Sequence, residues 1–340
     1  MAGKTKHTVA VVGLGLIGGS IALNLKKVCR VIGVDTNAET CDYALRNGFI
    51  DEVRPLESIK GVDAVLLCTP VEKLKETAAQ VYGIVGESAL ITDVGSVKSV
   101  LGNASGRIVG GHPMAGSEKG GIRAAKEHLF ENAYYCVIPY KRSSEEDVKS
   151  VEALARFLRA TPVRLSPEEH DRQAAALSHA PHLAAYALCE SALGERATPG
   201  SGFLDMTRIA SSDPAFWTAV CALNRENVLS ALDAYTKVLG DYRELLQNED
   251  YDKLRAALEN ARQKRTALPA HPSLSLTVDV KDEVGSIGKV TDALRAAGIG
   301  IANLCVLHSR EGVGGALQID FYTVADTERA KAALAALPTV

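Results

Sequence analysis

Aromatic side chains make up only 5% of the sequence, with a single Trp and three Met. Charge of one sign is also missing: 38 basic residues face 41 acidic ones, a formal net charge of -3. That balance removes the electrostatic footprint expected of a nucleic-acid-binding protein. No run of like charges marks a tail or a membrane-surface helix. The seven cysteines at 29, 41, 68, 136, 189, 221 and 305 are odd in number, scattered, and never spaced C-x-x-C. A disulfide framework and a zinc site are therefore not expected, and no metal is called for. Most of them sit in apolar runs, as in Leu67-Cys68-Thr69, and read as small buried hydrophobes in a reducing, cytoplasmic setting. No stretch approaches the ~20 apolar residues needed to span a bilayer. Lys4 and Lys6 before the apolar stretch 8–25 imitate a signal peptide. Gly13, Gly15, Gly18 and Gly19 break that stretch into strand, turn and helix.

What the chain has is length and rhythm. Its 340 residues suffice for two or three domains. In the first half, short apolar runs at 7–12, 30–34, 64–68, 89–92, 107–111 and 133–138 alternate with helical patterns. Continuous apolar runs of this length read as parallel strands covered on both faces. The whole reads as the βαβ order of a doubly wound α/β Rossmann domain, residues 1–166. From 167 to 268 strand signals vanish. Three long helical patterns (167–193, 213–247 and 250–264) predict an all-α domain that needs a partner surface, hence a homodimer. Pro269 and Pro272 mark a linker, and 273–340 reads as a small α+β module in the order strand, helix, strand, turn, strand, helix.

Gly13-Leu14-Gly15-Leu16-Ile17-Gly18 follows the first strand and opens the first helix. The first glycine permits the tight turn, the second lets backbone approach a pyrophosphate, and the third lets helix pack on strand. Free N–H groups at the helix start favour phosphate. Asp35 follows the next strand about 20 residues on, where an acidic residue bonds a ribose 2′-hydroxyl and repels a 2′-phosphate. NAD, and not NADP, is the expected cofactor. The expected contacts are Gly13, Gly15, Leu16, Ile17, Gly18 and Asp35, with Thr69 and Pro70 on the loop after the third apolar run.

Loops after later strands carry polar residues. Ser96 and Lys98 lie in TDVGSVK (92–98), and His112, Ser117, Glu118 and Lys119 in GHPMAGSEKGG (111–121). Such strand-end loops border the ligand crevice of an open α/β sheet. His112, between Gly111 and Pro113, reads as a shaped-loop histidine suited to accepting a proton near neutral pH. The helical region supplies His170, Asp171, Ser178, His179 and His182. His179 and His182 share a helix face and read as core or substrate-pocket groups. Arg208 stands just before a helix start capped by Ser212 or Asp213, either in a surface ion pair or as a carboxylate anchor.

Together, GLGLIGGS (13–20), TDVGSVK (92–98), GHPMAGSEKGG (111–121), SHAPH (178–182) and DMTRIASSDPAFW (205–217) resemble the prephenate dehydrogenase family. The resemblance covers about residues 7–265. It implies NAD-dependent oxidative decarboxylation of prephenate, or of its amino analogue arogenate, on the route to tyrosine. By that resemblance His112 takes the hydroxyl proton and Ser96 orients His112 or the hydroxyl. Arg208 then binds the ring carboxylate, with His179, His182 and Ser117 lining the pocket. The C-terminal module resembles an ACT domain, an amino-acid-binding regulator, through Asp282-Glu283-Val284-Gly285-Ser286-Ile287 and Ile301-Ala302-Asn303-Leu304. Val284 departs from the proline common before the glycine, and the end at Val340 leaves little length for a last strand. L-Tyrosine is the expected effector, with Asp282, Gly285 and Asn303 as its contacts and Ser286 capping the following helix. Two other readings exist: a 3-hydroxyacid dehydrogenase, which usually relies on a lysine in its helical domain, and a non-catalytic amino-acid sensor that has kept NAD binding.

Overall fold

The computed structural model describes residues 7–116, 120–131, 133–192, 194, 198–267, 275–281, 283–310 and 314–335. The chain forms two compact units, Met1–Tyr242 and Arg243–Val340.

The first unit opens with β1 (Thr8–Val12), α1 (Leu16–Leu25), β2 (Arg30–Val34), α2 (Ala38–Arg46), the short β3 (Glu52–Val53) and β4 (Ala64–Leu67). It continues with α3 (Leu74–Val85), β5 (Leu90–Asp93), β6 (Ile108–Pro113), β7 (Tyr134–Pro139), α4 (Glu145–Phe157) and β8 (Thr161–Arg164). The eight strands form one sheet in the order β3-β2-β1-β4-β5-β6-β7-β8. Neighbours are parallel except β6 and β7, which run antiparallel. Side chains of β1 alternate between two cores. Val9 and Val11 pack with Ile21 and Leu25 of α1 and Val148 and Val151 of α4. Ala10 and Val12 pack with Leu74, Ala78 and Val81 of α3. With both faces covered, the central positions of β1, β2 and β4 are apolar, which explains the apolar runs in the sequence. The strand order reverses direction between β1 and β4, and that is where an open α/β sheet offers a ligand crevice at its carboxyl end.

Past β8 the unit is helical. Ser166 starts α5 (Pro167–Ala174) with a capping box closed by Glu169, and Pro167 fills the first helical position, where its missing N–H costs nothing. A π-helical turn (Ala175–His179) leads into α6 (Ala180–Ala192), followed by α7 (Ser201–Thr207) and a 3-10 turn (Arg208–Ser211). Next come α8 (Pro214–Leu223) and α9 (Arg225–Gln247). Asp213 is the cap of α8, its carboxylate accepting the Ala215 N–H. Two helical expectations need correction. The pattern at 213–247 is two helices broken at Asn224, whose buried side chain turns inward to donate to the Asp171 carbonyl at 2.7 Å. Gly202, outside the three expected helical patterns, lies inside α7.

The second unit holds α10 (Tyr251–Thr266), capped by Asp250, then β9 (Ser275–Val280), α11 (Ser286–Ala296), β10 (Ile301–Arg310), β11 (Gly314–Phe321) and α12 (Val324–Ala335). Its sheet has the order β10-β11-β9 and both pairings are antiparallel. Val290, Leu294, Leu317, Ile319 and Phe321 fill its core. Ser286 does not cap α11: it is the first helical residue, and Gly285 in a left-handed conformation (φ 95°) occupies the cap position. Among the described residues no helix is long and apolar enough to cross a membrane, and no group of three or more potential ligands gathers around a metal position.

Candidate active site

The glycine turn is built as its sequence requires. Gly13 has φ 95°, and a Cβ there would meet the Cys68 carbonyl oxygen at 2.5 Å. A Cβ on Gly18 would sit 1.9 Å from the Gly13 oxygen. These two glycines answer to protein packing. Gly15 does not: its φ is an ordinary -73° and a Cβ would touch nothing within 4 Å among the described residues. That open space lies at the amino end of α1, whose cap position offers no side chain to the first N–H groups. Buried Thr69 Oγ1, on the loop after β4, also lacks a hydrogen-bond partner among the described residues. An anionic group approaching Gly15 would satisfy the helix N–H groups, so the residues present fit a dinucleotide. Asp35 follows β2 with one oxygen accepting the Leu14 N–H (2.7 Å) and the other the Asn37 N–H (2.9 Å). Each carboxylate oxygen keeps a lone pair for a ribose hydroxyl. Thr36, Asn37 and Ala38 beside it are exposed. Half-buried Leu16 and Ile17 form the first turn of α1, and exposed Pro70 follows Thr69.

His112 is on β6 and not on a loop. Pairing of His112 with Cys136 and of Pro113 with Tyr135 carries the strand past the expected end at residue 111. Gly111 is small for a reason, since a Cβ would meet the Asp93 carbonyl oxygen and the Tyr135 hydroxyl, both at 2.6 Å. His112 Nδ1 lies 2.8 Å from His170 Nε2, and His170 Nδ1 lies 2.8 Å from Asp171 Oδ1. Asp171 also accepts the Lys98 N–H (2.7 Å) and the Ser99 N–H (2.9 Å). Burial works to raise the Asp171 pKa. Hydrogen bonds from His170, Lys98 and Ser99 outweigh it and hold the carboxyl below its usual range. Burial, with help from the Lys98 charge, holds His170 below the ordinary histidine value despite the Asp171 bond. His112 is held well below it by burial, then by His170, Lys98 and His179. At neutral pH both rings are uncharged and Asp171 is ionised.

Lys98 does not face the crevice. It is fully buried, its ammonium paired with the equally buried Asp93 and donating to the Gly111 carbonyl. Tyr140 donates its hydroxyl proton to the Lys98 carbonyl at 2.9 Å. The pair ties the carboxyl end of β5 to that of β6 immediately before His112. Ser96 is half-buried on the same loop and makes no hydrogen bond to His112 among the described residues. The ring nitrogen Nδ1 is held by His170 instead.

Of the other expected pocket groups, His179 is buried, with Nδ1 3.3 Å from Asn224 Nδ2 and its pKa pushed down to about 4 chiefly by burial. His182 stacks on Trp217 with ring centroids 3.5 Å apart, and its Nδ1 meets the Ser178 carbonyl at 2.9 Å. Burial, then the Arg208 charge, lowers its pKa, so Arg208 acts electrostatically on this ring. Arg208 itself is exposed at the start of its 3-10 turn. Ser117, Glu118 and Lys119 lie outside the described residues. Sequence reasoning gave no role to Trp217 and left His170 and Asp171 unassigned. An adjacent acid and imidazole just inside a strongly capped helix was the available signal.

A ligand-open glycine turn, a carboxylate after the next strand and a neutral imidazole at the same carboxyl edge define a nucleotide-dependent dehydrogenase with a helical second half. Residues 21–166 match the family model for the prephenate dehydrogenase nucleotide-binding domain, and 166–260 that for the prephenate dehydrogenase dimerization domain. Prephenate dehydrogenase of Bacillus subtilis is 36% identical, over 96% of this chain and 95% of its own length. The crystal structure of prephenate dehydrogenase from A. aeolicus in complex with hydroxyphenyl propionate and NAD+ is similar at 32% identity and a TM-score of 0.71, covering 78% of this chain and 99% of that one. Synechocystis arogenate dehydrogenase is similar at 28% identity and a TM-score of 0.68, covering 76% and 99%. The chain belongs to the prephenate dehydrogenase family.

Proposed function

We propose that this chain oxidises and decarboxylates prephenate to 4-hydroxyphenylpyruvate with NAD, and that His112 is the base. The observation that carries the reading is His112 itself: half-buried, neutral, and anchored through Nδ1 so that Nε2 is left for a substrate hydroxyl. Bound NAD supplies the hydride acceptor. Gly15, the start of α1 and Thr69 hold its phosphates and neighbouring groups, and Asp35 selects a free 2′-hydroxyl. His112 Nε2 takes the hydroxyl proton of the cyclohexadienol, so the oxygen's electron pair closes to a carbonyl. Ser96 orients the hydroxyl. Arg208 binds the ring carboxylate, for which a guanidinium is well shaped, beside the His182–Trp217 stack, with Ser117 and His179 contributing to the pocket. Loss of CO2 makes the ring aromatic and needs little from the protein.

An apolar face in the helical half supports a homodimer. Leu177, Leu204, Met206, Leu229, Val238 and Leu239 are all exposed in that half, and Met206 with Leu188, Ile209 and Tyr235 lines an apolar recess of about 530 Å³. A patch of this kind on a soluble protein marks an association surface. The boundaries 1–166, 167–268 and 273–340 describe nucleotide-binding, helical and regulatory regions in this reading. The last region works as an ACT-like module that binds L-tyrosine at the amino end of α11 through Gly285, Asn303 and Asp282, the last lying outside the described residues. Asn303 donates to Asp320 at 3.0 Å, which fixes its amide near the strand edge.

The test is NADH formation followed at 340 nm with prephenate and, separately, arogenate, each with NAD and NADP. Prephenate with NAD should give the highest kcat/KM. Equal efficiency with NADP would remove the role given to Asp35, and a preference for arogenate would reassign the substrate. Tyrosine titrated at saturating prephenate should inhibit, and Asn303→Ala should weaken that inhibition. Absence of inhibition under these conditions ends the regulatory reading.

A further inference from the structure

We infer that His170 and Asp171 are positioning residues for the reaction, fixing His112 in the one tautomer whose Nε2 is a bare lone pair and receiving positive charge from it during turnover. The inference rests on His112 being the base. An ionised carboxylate has no proton to give. Asp171 accepts from the Lys98 N–H, the Ser99 N–H and His170 Nδ1, so His170 must carry its proton on Nδ1. A neutral His170 then has only an acceptor at Nε2. The atom facing it at 2.8 Å is His112 Nδ1, which must therefore donate. A neutral His112 that donates from Nδ1 has no proton on Nε2. Each link is forced by the one before, and the chain starts at a carboxylate pinned by two backbone N–H groups.

The groups around this chain agree with it. On the β5 side stand the buried Asp93 and Lys98. From β7 come Cys136, whose thiol is pushed up to about 11 by burial, and Tyr135, also pushed up, both neutral. From the π-turn comes His179, neutral because its pKa is pushed down to about 4. Asn224 donates to the Asp171 carbonyl and holds the residue from behind. Lys98 disfavours positive charge on either resting imidazole.

During the reaction the substrate O–H bond breaks and a bond forms from its proton to His112 Nε2. The oxygen's electron pair becomes the carbonyl π bond, and the hydride departs to the nicotinamide oxidant that the activity already requires. The Nδ1 proton of His112 then shifts toward His170 Nε2, where the Asp171 carboxylate balances the charge. When CO2 leaves, the pair of the broken C–C bond passes through the ring to the carbonyl oxygen, and the proton held by His112 and His170 returns to that oxygen, which gives the phenol and resets both rings. The two rings meet edge to face, with centroids 5.0 Å apart, so the transfer needs no rearrangement.

The experiment is 15N NMR of the full-length enzyme labelled in histidine, with His112 assigned through His112→Asn and His170 through His170→Leu. At neutral pH, with and without NAD, both rings should show a protonated Nδ1 and an unprotonated Nε2. Kinetics of folded variants provide the second readout. His170→Leu should lower kcat at least tenfold with KM for prephenate within about twofold, and His170→Gln, which restores an acceptor, should recover part of the loss. Asp171→Asn, which scrambles the tautomer, should lower kcat by about 10²–10⁴-fold, by analogy with the orienting carboxylate of a catalytic triad. A wild-type His112 found with its proton on Nε2 overturns the proposal. So does a folded His170→Leu enzyme with kcat within twofold of wild type. If these variants fail to fold, the wild-type spectrum decides alone. Failure of the underlying reading looks different: His112→Asn would keep its kcat while the tautomer spectra stayed as stated.

Discussion

The two units bury different kinds of residue. In Met1–Tyr242 the buried polar groups include Asp93, Lys98, His170, Asp171, His179 and Asn224, most of them joined to one another beside His112. In Arg243–Val340 the buried polar residues among those described are Ser286 and Thr327, and the rest of the core is aliphatic and Phe321. Buried polar atoms cost free energy unless they are paired, and a hydrogen-bonded network, here paired among the described residues except at Asp93 Oδ1, gives rigidity where an apolar core gives only adhesion. The first unit therefore spends its interior on holding chemistry in place. The second uses its interior to fold, which leaves any ligand-binding role to its surface loops.

Substitutions on the two sides of this contrast should behave differently. The largest effect belongs to His112→Asn, expected to lower kcat by about 10²–10⁴-fold, the range of a general base, with NAD affinity by fluorescence titration unchanged. A kcat near normal would mean that the network supports something other than proton transfer. Lys98→Met leaves Asp93 buried without its counter-charge and should cost about 3–5 kcal/mol of stability in denaturant titration. A second change, Asp93→Asn, should recover part of that cost. Leu294→Ala in the other unit should cost about 2–5 kcal/mol through the cavity it leaves, yet kcat with prephenate at low tyrosine should hold. If Leu294→Ala lowers kcat as much as Lys98→Met does, the division of labour between the interiors is wrong. The smallest effect is for Arg208→Ala, which should raise the KM for prephenate about 10- to 150-fold, the equivalent of one lost charge-assisted hydrogen bond, with kcat less affected. An unchanged KM returns Arg208 to the role of a surface charge.

The parts of this protein that sequence reveals best are those fixed by local physics. The glycine turn at 13–18 and Asp35 were readable because strand, turn and helix follow one another within thirty residues. The apolar runs marked the long central strands because both of their faces are covered. The short β3 and β8 carried too few apolar positions to register. The strand position of His112 depends on its antiparallel pairing with β7, which no local pattern announces. The contact between His112 and His170 joins residues 58 apart in the sequence, and the break at Asn224 exists because its amide reaches Asp171, 53 residues away. Lys98 looked like a crevice residue because its neighbours are polar, and only tertiary packing shows it sealed against Asp93. Ser286 looked like a helix cap because serine so often is one, and Gly285 took the position through its left-handed backbone.

The pH dependence of kcat/KM for prephenate tests the neutral, half-buried His112 most directly. A base must be unprotonated to act, and burial with the Lys98 charge lowers the pKa of His112 well below 6.5. As pH falls through that lowered pKa the protonated, inactive fraction grows. Activity should therefore stay level from neutral pH down past 6.5 and decline only in more acidic solution, and this acid limb should vanish in His112→Asn. A limb centred above 6.5, or one that persists unchanged in His112→Asn, would contradict the account.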